Sequence, residues 1–391
     1  MKKIIFDLSA TQPYGTTKVH GGGKYGIVVC KKIIKIAPDK IAVYYNSDAY
    51  LDESICKIIK SQHIESHFSK EGTIMEIAKK HNYVIYTPLF VNDYLTQDCP
   101  TIIATIHGLR TMEMPTDDYE KFYNNKRNII SNILCSLGLN KLYIRLKTKK
   151  MLQRGNLYER WFTDKRCHFV VVSEHTKASI MCFLPTVNTE RLNVFYSPST
   201  IDKHIELQPS KFHGQKFWLM VSGNRWLKNC LRAIEAFDSV FTQRPEIEGK
   251  VVITGIDQLN FRHFKIYNKN RFIPLGYVSE SELKSLYHDA FLFVYPSLNE
   301  GFGYPPLEAM YEGTPVIASA ISSIPEVCGD SVLYFNPTLV SEIKMRILQM
   351  EDDNFRKKIA IRGKQRQIEI EERQNNDLVT LCNYILDFTK K

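Results

Sequence analysis

The chain lacks the features that most alternative function classes would require. No stretch approaches the ~18 uninterrupted apolar residues of a membrane-spanning helix. The start, MKKIIFDLSA, has two lysines but no apolar run of signal-peptide length. Nine cysteines stand singly, with no C-x-x-C spacing and an odd count. That argues against a zinc ribbon or a disulfide framework and points to a reducing compartment. There is no D-x-D pair to hold a divalent cation, no H-E-x-x-H and no G-x-S-x-G elbow. Internal repeats and low-complexity tracts are also missing. The expectation is a cytoplasmic protein, and not a metalloprotease or an α/β-hydrolase.

What is present is the composition of a globular protein: 391 residues, 44% hydrophobic, 12% aromatic and 24% charged. Such a length accommodates two or three domains. Short apolar runs alternate with helix-length patterns. Ile4–Asp7, Ile41–Tyr45, Val84–Tyr86, Thr101–Ile106 and Phe169–Val172 read as strands in the first half. Phe217–Val221, Val251–Thr254, Phe291–Tyr295 and Pro315–Ala318 do so in the second. Helix patterns lie between them, at Lys24–Ile36, Ile74–His81, Asn229–Phe241, Glu280–Asp289 and Pro306–Glu312. Buried strands alternating with helices predict an α/β fold of two doubly wound, Rossmann-like parallel-sheet domains. Pro198, Pro209 and Gly214 mark a linker, so the expected domains are 1–200 and 212–370. In the tail 371–391, Leu378, Leu381, Ile385 and Phe388 fall on one helix face that must dock on something.

The most informative stretch is PSLNEGFGYPPLEAMYEG, residues 296–313, after the strand FLFVY. A strand ends, glycines turn, and two prolines pre-set the first turn of a helix. Gly301 and Gly303 let the backbone approach a ligand, and the helix start offers a partial positive charge. Glu300 and Glu308 are thereby placed at the carboxyl edge of a parallel sheet, where ligands bind in open α/β folds. Each carboxylate can accept from neighbouring hydroxyls of a polyol. A solvated Glu beside an ordinary helix-terminal Glu would have the same spacing.

The whole segment EGFGYPPLEAMYEGTPVIAS resembles the E-x₇-E signature of the retaining glycosyltransferases of family 4, and SSIPEVCGDSVLYFNP resembles the adjoining segment of that family. The resemblance implies the GT-B fold, with two Rossmann-like domains facing a cleft and a terminal helix crossing back to the first. It also implies a nucleotide-sugar donor on the second domain and a glycan or lipid-linked glycan acceptor on the first. HGGGKY matches the family's glycine-rich loop, so Gly21, Gly22 and Gly23 carry over. FWLMVSGNRWLKN resembles its strand, glycine turn and basic pair, which assigns Gly223, Arg225 and Lys228 to the donor diphosphate. TIIATIHGLR places His107 where the family has a histidine beside the donor sugar, although Gly108 stands where many members have Asp. Ser173, in VVVSEHTKASI, reads more as a helix N-cap than as a donor contact. The family's Asn-Gly turn before the linker is missing, since the chain there reads YSPSTID.

By resemblance, Glu308 would bind ribose hydroxyls. Glu300 would orient the sugar together with the backbone N–H groups of Phe302, Gly303 and Tyr304. Transfer would be metal-independent and retaining, with mannose from GDP-mannose as the expected donor. The alternatives are another GT-B enzyme, an epimerase or phosphorylase, and a non-catalytic sugar-nucleotide-binding scaffold.

The net charge of +10 is confined. Residues 121–166 hold 12 basic and 2 acidic groups, while the remainder of the chain is balanced. Apolar side chains interleave with these cations. The expectation is attachment to an anionic membrane surface, at roughly 1 kcal/mol per well-placed Lys or Arg, which would keep the enzyme peripheral on the inner face of the membrane. Plain packing and a nucleic-acid patch using Tyr143, Tyr158 and Trp161 are the other readings, and nothing else in the chain resembles a nucleic-acid module.

Overall fold

The computed structural model describes residues 2–13, 21–90, 99–123, 146, 149, 158–261 and 264–390. The chain forms two compact units. The first comprises Met1–Leu109, Leu152–Thr200 and Glu371–Lys391, and the second Arg110–Met151 and Ile201–Ile370.

The first unit contains β1 (Ile4–Asp7), α1 (Gly21–Ile36), β2 (Ile41–Tyr45), α2 (Glu53–Ser61), β3 (Glu65–Phe68), α3 (Ile74–His81), β4 (Val84–Thr87) and β5 (Ile102–Ile106). α4 (Arg110–Glu113) then leads into the second unit, and β6 (Cys167–Val171), α5 (Glu174–Phe183) and β7 (Leu192–Val194) complete the first sheet. All seven strands are parallel, in the order β3-β2-β1-β4-β5-β6-β7. The switch in winding direction falls between β1 and β4, where Ile4 pairs with Val84. β1, β4 and β5 are buried along their whole length, as the uninterrupted apolar runs require.

The second unit contains β8 (Phe217–Met220), α6 (Cys230–Gln243), β9 (Lys250–Thr254), β10 (Phe272–Leu275), α7 (Glu280–Asp289) and β11 (Leu292–Tyr295). It continues through α8 (Tyr304–Tyr311), β12 (Val316–Ser319), α9 (Ile324–Cys328), β13 (Leu333–Phe335), α10 (Val340–Gln349) and α11 (Asp353–Asp387). Its six parallel strands run β10-β9-β8-β11-β12-β13, with the switch between β8 and β11. Trp218, Phe237, Phe241 and Phe272 build an aromatic core under the sheet.

α11 starts in the second unit, and its last turns belong to the first. There Leu378, Leu381, Ile385 and Phe388 are buried, on the face predicted by their spacing. Asp377 accepts from the Tyr196 backbone at 2.8 Å, and Arg373 lies over the Tyr196 ring at 3.4 Å.

The segment after β5 differs from the expectation of a first domain running through residue 200. Residues 110–123 group with the second unit. They are held there by a buried ion pair, Asp117 to Arg232, and by Tyr119, Phe122 and Tyr123 packing against the Phe261 and Phe264 rings.

Most of the basic stretch 121–166, including Tyr143, lies outside the described residues. Within the described part Trp161 and Phe162 are core residues of the first unit, Trp161 edge-on to Phe90 and Phe162 tilted against Phe169, which suits packing rather than contact with bases. The described residues contain no helix long and apolar enough to cross a membrane.

Candidate functional site

The residues singled out above fall into two sets, one at the carboxyl edge of each sheet and both at the switch points, where diverging loops open a crevice. In the first unit Gly21, Gly22 and Gly23 are the first turn of α1 itself rather than a loop preceding it. The periodic burial of Tyr25, Val29, Ile33 and Ile34 fixes the helix, and the glycines extend it backward. A Cβ on Gly22 would collide with the Leu89 side chain, whereas one on Gly21 would meet nothing within 4 Å. His107 comes just after β5. Its Nε2 lies 2.8 Å from the Pro88 carbonyl oxygen, which can only accept, so this nitrogen carries the proton. The imidazole meets the Tyr25 ring edge-on, with centroids 4.7 Å apart. Beneath it, the hydroxyls of Tyr25, Tyr86 and Thr105 form a buried triangle of hydrogen bonds.

Ser173 caps α5, accepting from the Thr176 backbone at 3.1 Å, in line with the capping reading. Gly108 adopts φ +121°, a region that a side chain disfavours. The Asp that the family resemblance leads one to expect here would be strained at that φ.

In the second unit the loops after β8 and β11 are stapled together. The Leu298 N–H donates to the Leu227 carbonyl at 2.8 Å. Asn229, itself left-handed at φ +54°, donates to the Pro296 and Pro337 carbonyls. Glu300 lies at the centre, 6% exposed. Its Oε1 accepts from Lys228 Nζ at 2.6 Å and also from the Ser297 hydroxyl. Its Oε2 faces Arg110 Nη2 across 3.7 Å. The Ser322 hydroxyl accepts from the Glu300 N–H at 3.0 Å, and Ser323 donates to the Glu300 and Phe302 carbonyls, so the glycine loop is clamped from the β12–α9 turn. Burial opposes ionisation of Glu300. Lys228 and Arg110 outweigh it and hold the carboxyl at about 2. Lys228, also buried, donates a second bond to the Tyr295 hydroxyl at 3.1 Å.

Gly303 begins α8 at φ +116°, and a Cβ there would meet nothing within 4 Å, so its requirement is conformational. Phe302 is buried against Tyr304, with centroids 5.5 Å apart. Glu308, in the first turns of α8, is half-buried and accepts from the Tyr287 hydroxyl at 3.1 Å.

Arg225 and Lys228 part company. Arg225 is exposed at the loop, while Lys228 points inward to Glu300. Gly223 differs from the expectation too. Its N–H is taken by the Thr254 carbonyl at 2.9 Å, and its importance is steric. A Cβ would stand 2.7 Å from Ile253 Cγ2 and 2.9 Å from Ile256 Cγ2. Gly223→Ala is therefore expected to destabilise the second unit by about 1–3 kcal/mol through overpacking, measurable by chemical denaturation.

Sequence reasoning missed Arg110, Tyr287, Ser297 and the Ser322–Ser323 clamp. Arg110, Tyr287 and the serine clamp act through partners distant in the chain, and none belongs to a recognisable spacing. Two had a local signal: Arg110, three residues after His107, and Ser297, three residues before Glu300.

Residues 202–366 match the family model described as glycosyl transferases group 1. The O-antigen chain mannosyltransferase B of Escherichia coli is 49% identical over 90 residues, which is 23% of this chain and 24% of that protein. The O-antigen chain mannosyltransferase RfbU of Salmonella typhimurium is 30% identical over 177 residues, 44% of this chain and 48% of that protein. The chain thus spans about a quarter and about half of these relatives' lengths. Among solved structures, Anabaena Alr3699/HepE in complex with UDP-glucose aligns over 100% of both chains, with a TM-score of 0.62 at 15% identity. That likeness concerns the fold, two parallel-sheet units of the GT-B kind. Residues 202–366 thus match the glycosyl transferases group 1 model over less than half of the chain, which has the GT-B fold and is similar, over part of its length, to bacterial O-antigen mannosyltransferases.

Proposed function

We propose that this chain is a retaining, metal-independent glycosyltransferase that moves a hexose, mannose, from a nucleotide sugar to a glycan or lipid-linked glycan. The observation that carries the reading is the ionised Glu300, buried at the switch point of a glycosyl transferases group 1 domain with Glu308 at the same edge. A buried carboxylate with one oxygen fixed by Lys228 and Ser297 presents its other oxygen to a sugar hydroxyl. Glu308, steadied by Tyr287, suits the ribose diol. The start of α8 and the exposed Arg225 offer positive charge where the diphosphate leaves. In front-face transfer the bond from the anomeric carbon to the phosphate oxygen breaks. The departing phosphate takes the acceptor's hydroxyl proton as the new glycosidic bond forms on the same face. The family resemblance assigns His107, whose Nε2 donates to the Pro88 carbonyl, to the donor sugar.

The names of the relatives support mannose and an O-antigen type of acceptor. GDP-mannose is the donor we assign. The cationic stretch 121–166 supports attachment to an anionic membrane surface on the cytoplasmic side, where a lipid-linked acceptor would lie.

The test is an assay with GDP-mannose, a polyprenyl-diphosphate-linked oligosaccharide and EDTA. Release of GDP only when acceptor is present, with an α-linked product, is expected. Glu308→Ala should lower kcat/KM at least about 10-fold, by loss of a charged hydrogen bond. Product without acceptor would instead indicate an epimerase or a phosphorylase. Donor binding with no turnover on any acceptor would indicate a scaffold, and loss of activity in EDTA would overturn metal independence.

A further inference from the structure

The donor reading requires positive charge beside the leaving diphosphate, and Lys228 is largely committed elsewhere. Of the three N–H donors of its ammonium, one goes to Glu300 Oε1 at 2.6 Å and another to Tyr295 Oη at 3.1 Å. The side chain is 9% exposed, and its charge is balanced within the ion pair. Two neighbouring cations are not so engaged. Arg225 is exposed, and its guanidinium has no ion pair or hydrogen-bond partner among the described residues. Arg110 has its side chain 36% exposed, and its one ion pair among the described residues is the 3.7 Å approach to Glu300 Oε2. That separation is too long for a hydrogen bond and leaves the planar fork open. Burial is the largest influence lowering the Lys228 ammonium pKa, but Arg225 and Arg110 both push it the same way, so both stand near that nitrogen.

Arg110 is also firmly placed. It opens α4, whose other end, Glu113, accepts from the Asn299 amide next to Glu300. Further along, Asp117 locks the segment to Arg232.

We propose that Arg110 binds the donor diphosphate, sharing its two negative charges with Arg225, while Lys228 serves as the fixed counter-ion of Glu300. This rests on the donor-site reading above. The charges match: the Lys228–Glu300 pair is neutral, and two arginine forks face a ligand with two phosphate charges, each fork suited to a pair of phosphoryl oxygens.

The experiment is calorimetric titration of the 391-residue chain with GDP, GMP and GDP-mannose, with UDP and UMP run alongside. Arg110→Gln should weaken the diphosphate at least about 10-fold, the loss of one charge-assisted contact, and the monophosphate less than about 3-fold. Arg110→Lys, which keeps the charge without the fork, should fall between. Unchanged melting temperatures are expected for a half-exposed side chain, and should the glutamine variant not fold, the lysine variant carries the same comparison. Equal effects on diphosphate and monophosphate, or none, would overturn the proposal. So would a loss confined to GDP-mannose with GDP unaffected, because Arg110 would then act only by positioning Glu300. Wild-type chain that binds no nucleoside diphosphate would bring down the donor-site reading itself. Wild type that binds, with Arg110→Gln binding equally well, would remove this inference alone.

Discussion

Glu300→Ala should abolish transfer and destabilise the second unit by about 3–5 kcal/mol, because it strands the Lys228 ammonium in the interior. Nothing else nearby among the described residues supplies a carboxylate to that nitrogen. Its remaining partner is the neutral Tyr295 hydroxyl, with Arg225 and Arg110 both repelling it. The pH dependence has a defined sign. Burial would raise the Glu300 carboxyl, but Lys228 and Arg110 bring it down to about 2 from an ordinary 4.5. A carboxyl depressed on folding adds stability that is fully present above its unfolded value and fades as the pH falls through the folded one. The contribution, ~3 kcal/mol, should be intact above about pH 5 and disappear between pH 4.5 and 2. Guanidinium denaturation of wild type and Glu300→Ala at pH 7 and pH 3 isolates it, since the difference between the two proteins should shrink at the lower pH. A double variant, Glu300→Gln with Lys228→Met, removes both charges. It should recover most of the stability and none of the transfer. Identical midpoints for wild type and Glu300→Ala at pH 7 would overturn the ion-pair argument while leaving the kinetic role to be judged from the assay.

The parts of this molecule that could be read from the chain are those with a local cause. The central strands are buried on both faces, so β1 and β2 appear as apolar runs with the bounds the structure shows. α3 and α7 carry their own caps, Thr73 and Ser279, and their spans are equally legible. The strands that escape, β3 (ESHF), β7 (LNV), β10 (FIPL) and β13 (LYF), all lie toward sheet edges. They are short and partly exposed, and one contains Pro274, so no alternation or apolar run marks them. The site divides in the same way. Gly303 and Pro305–Pro306 are demanded by the backbone path from β11 into α8, and their pattern is visible in any reading. That Lys228 serves Glu300, 72 positions away, has no local trace. A buried lysine and a solvated one are the same letter in a loop. Gly223 illustrates a related limit: the turn after β8 suggests glycine for ligand approach, but Ile253 and Ile256, on the neighbouring strand and its loop, are what exclude a side chain.

Asp117→Ala should have a comparable or larger effect on stability, for a reason that separates arginine from lysine. Arg232 lies within an amphipathic helix, where a cation would ordinarily face water, yet its side chain is 5% exposed. Both of its terminal nitrogens meet Asp117 oxygens at 2.9 Å, Asn229 Oδ1 accepts a further bond at 2.9 Å, and the guanidinium lies 3.9 Å from the Tyr119 ring centre. A buried lysine deprived of its partner can shed its proton. Arginine does not, so the stranded charge must either reach water or remain unpaired. The expected loss is about 3–5 kcal/mol, with residues 110–123 coming away from α6. Tyr119 would lose its hydrogen bond to Glu235, and Tyr123 the bond it accepts from the Leu231 N–H. Hydrogen exchange over 110–123 should then rise well above wild type. Because Arg110 sits on the same segment, GDP affinity should fall together with it, although Asp117 is not expected to touch the ligand. Asp117→Asn keeps the shape but not the charge and should show a smaller version of both effects. Wild-type exchange over 110–123 in Asp117→Ala would mean that the aromatic cluster of Phe122, Phe261 and Phe264 holds the segment unaided. In that case the placement of Arg110 would depend on packing rather than on a buried charge pair.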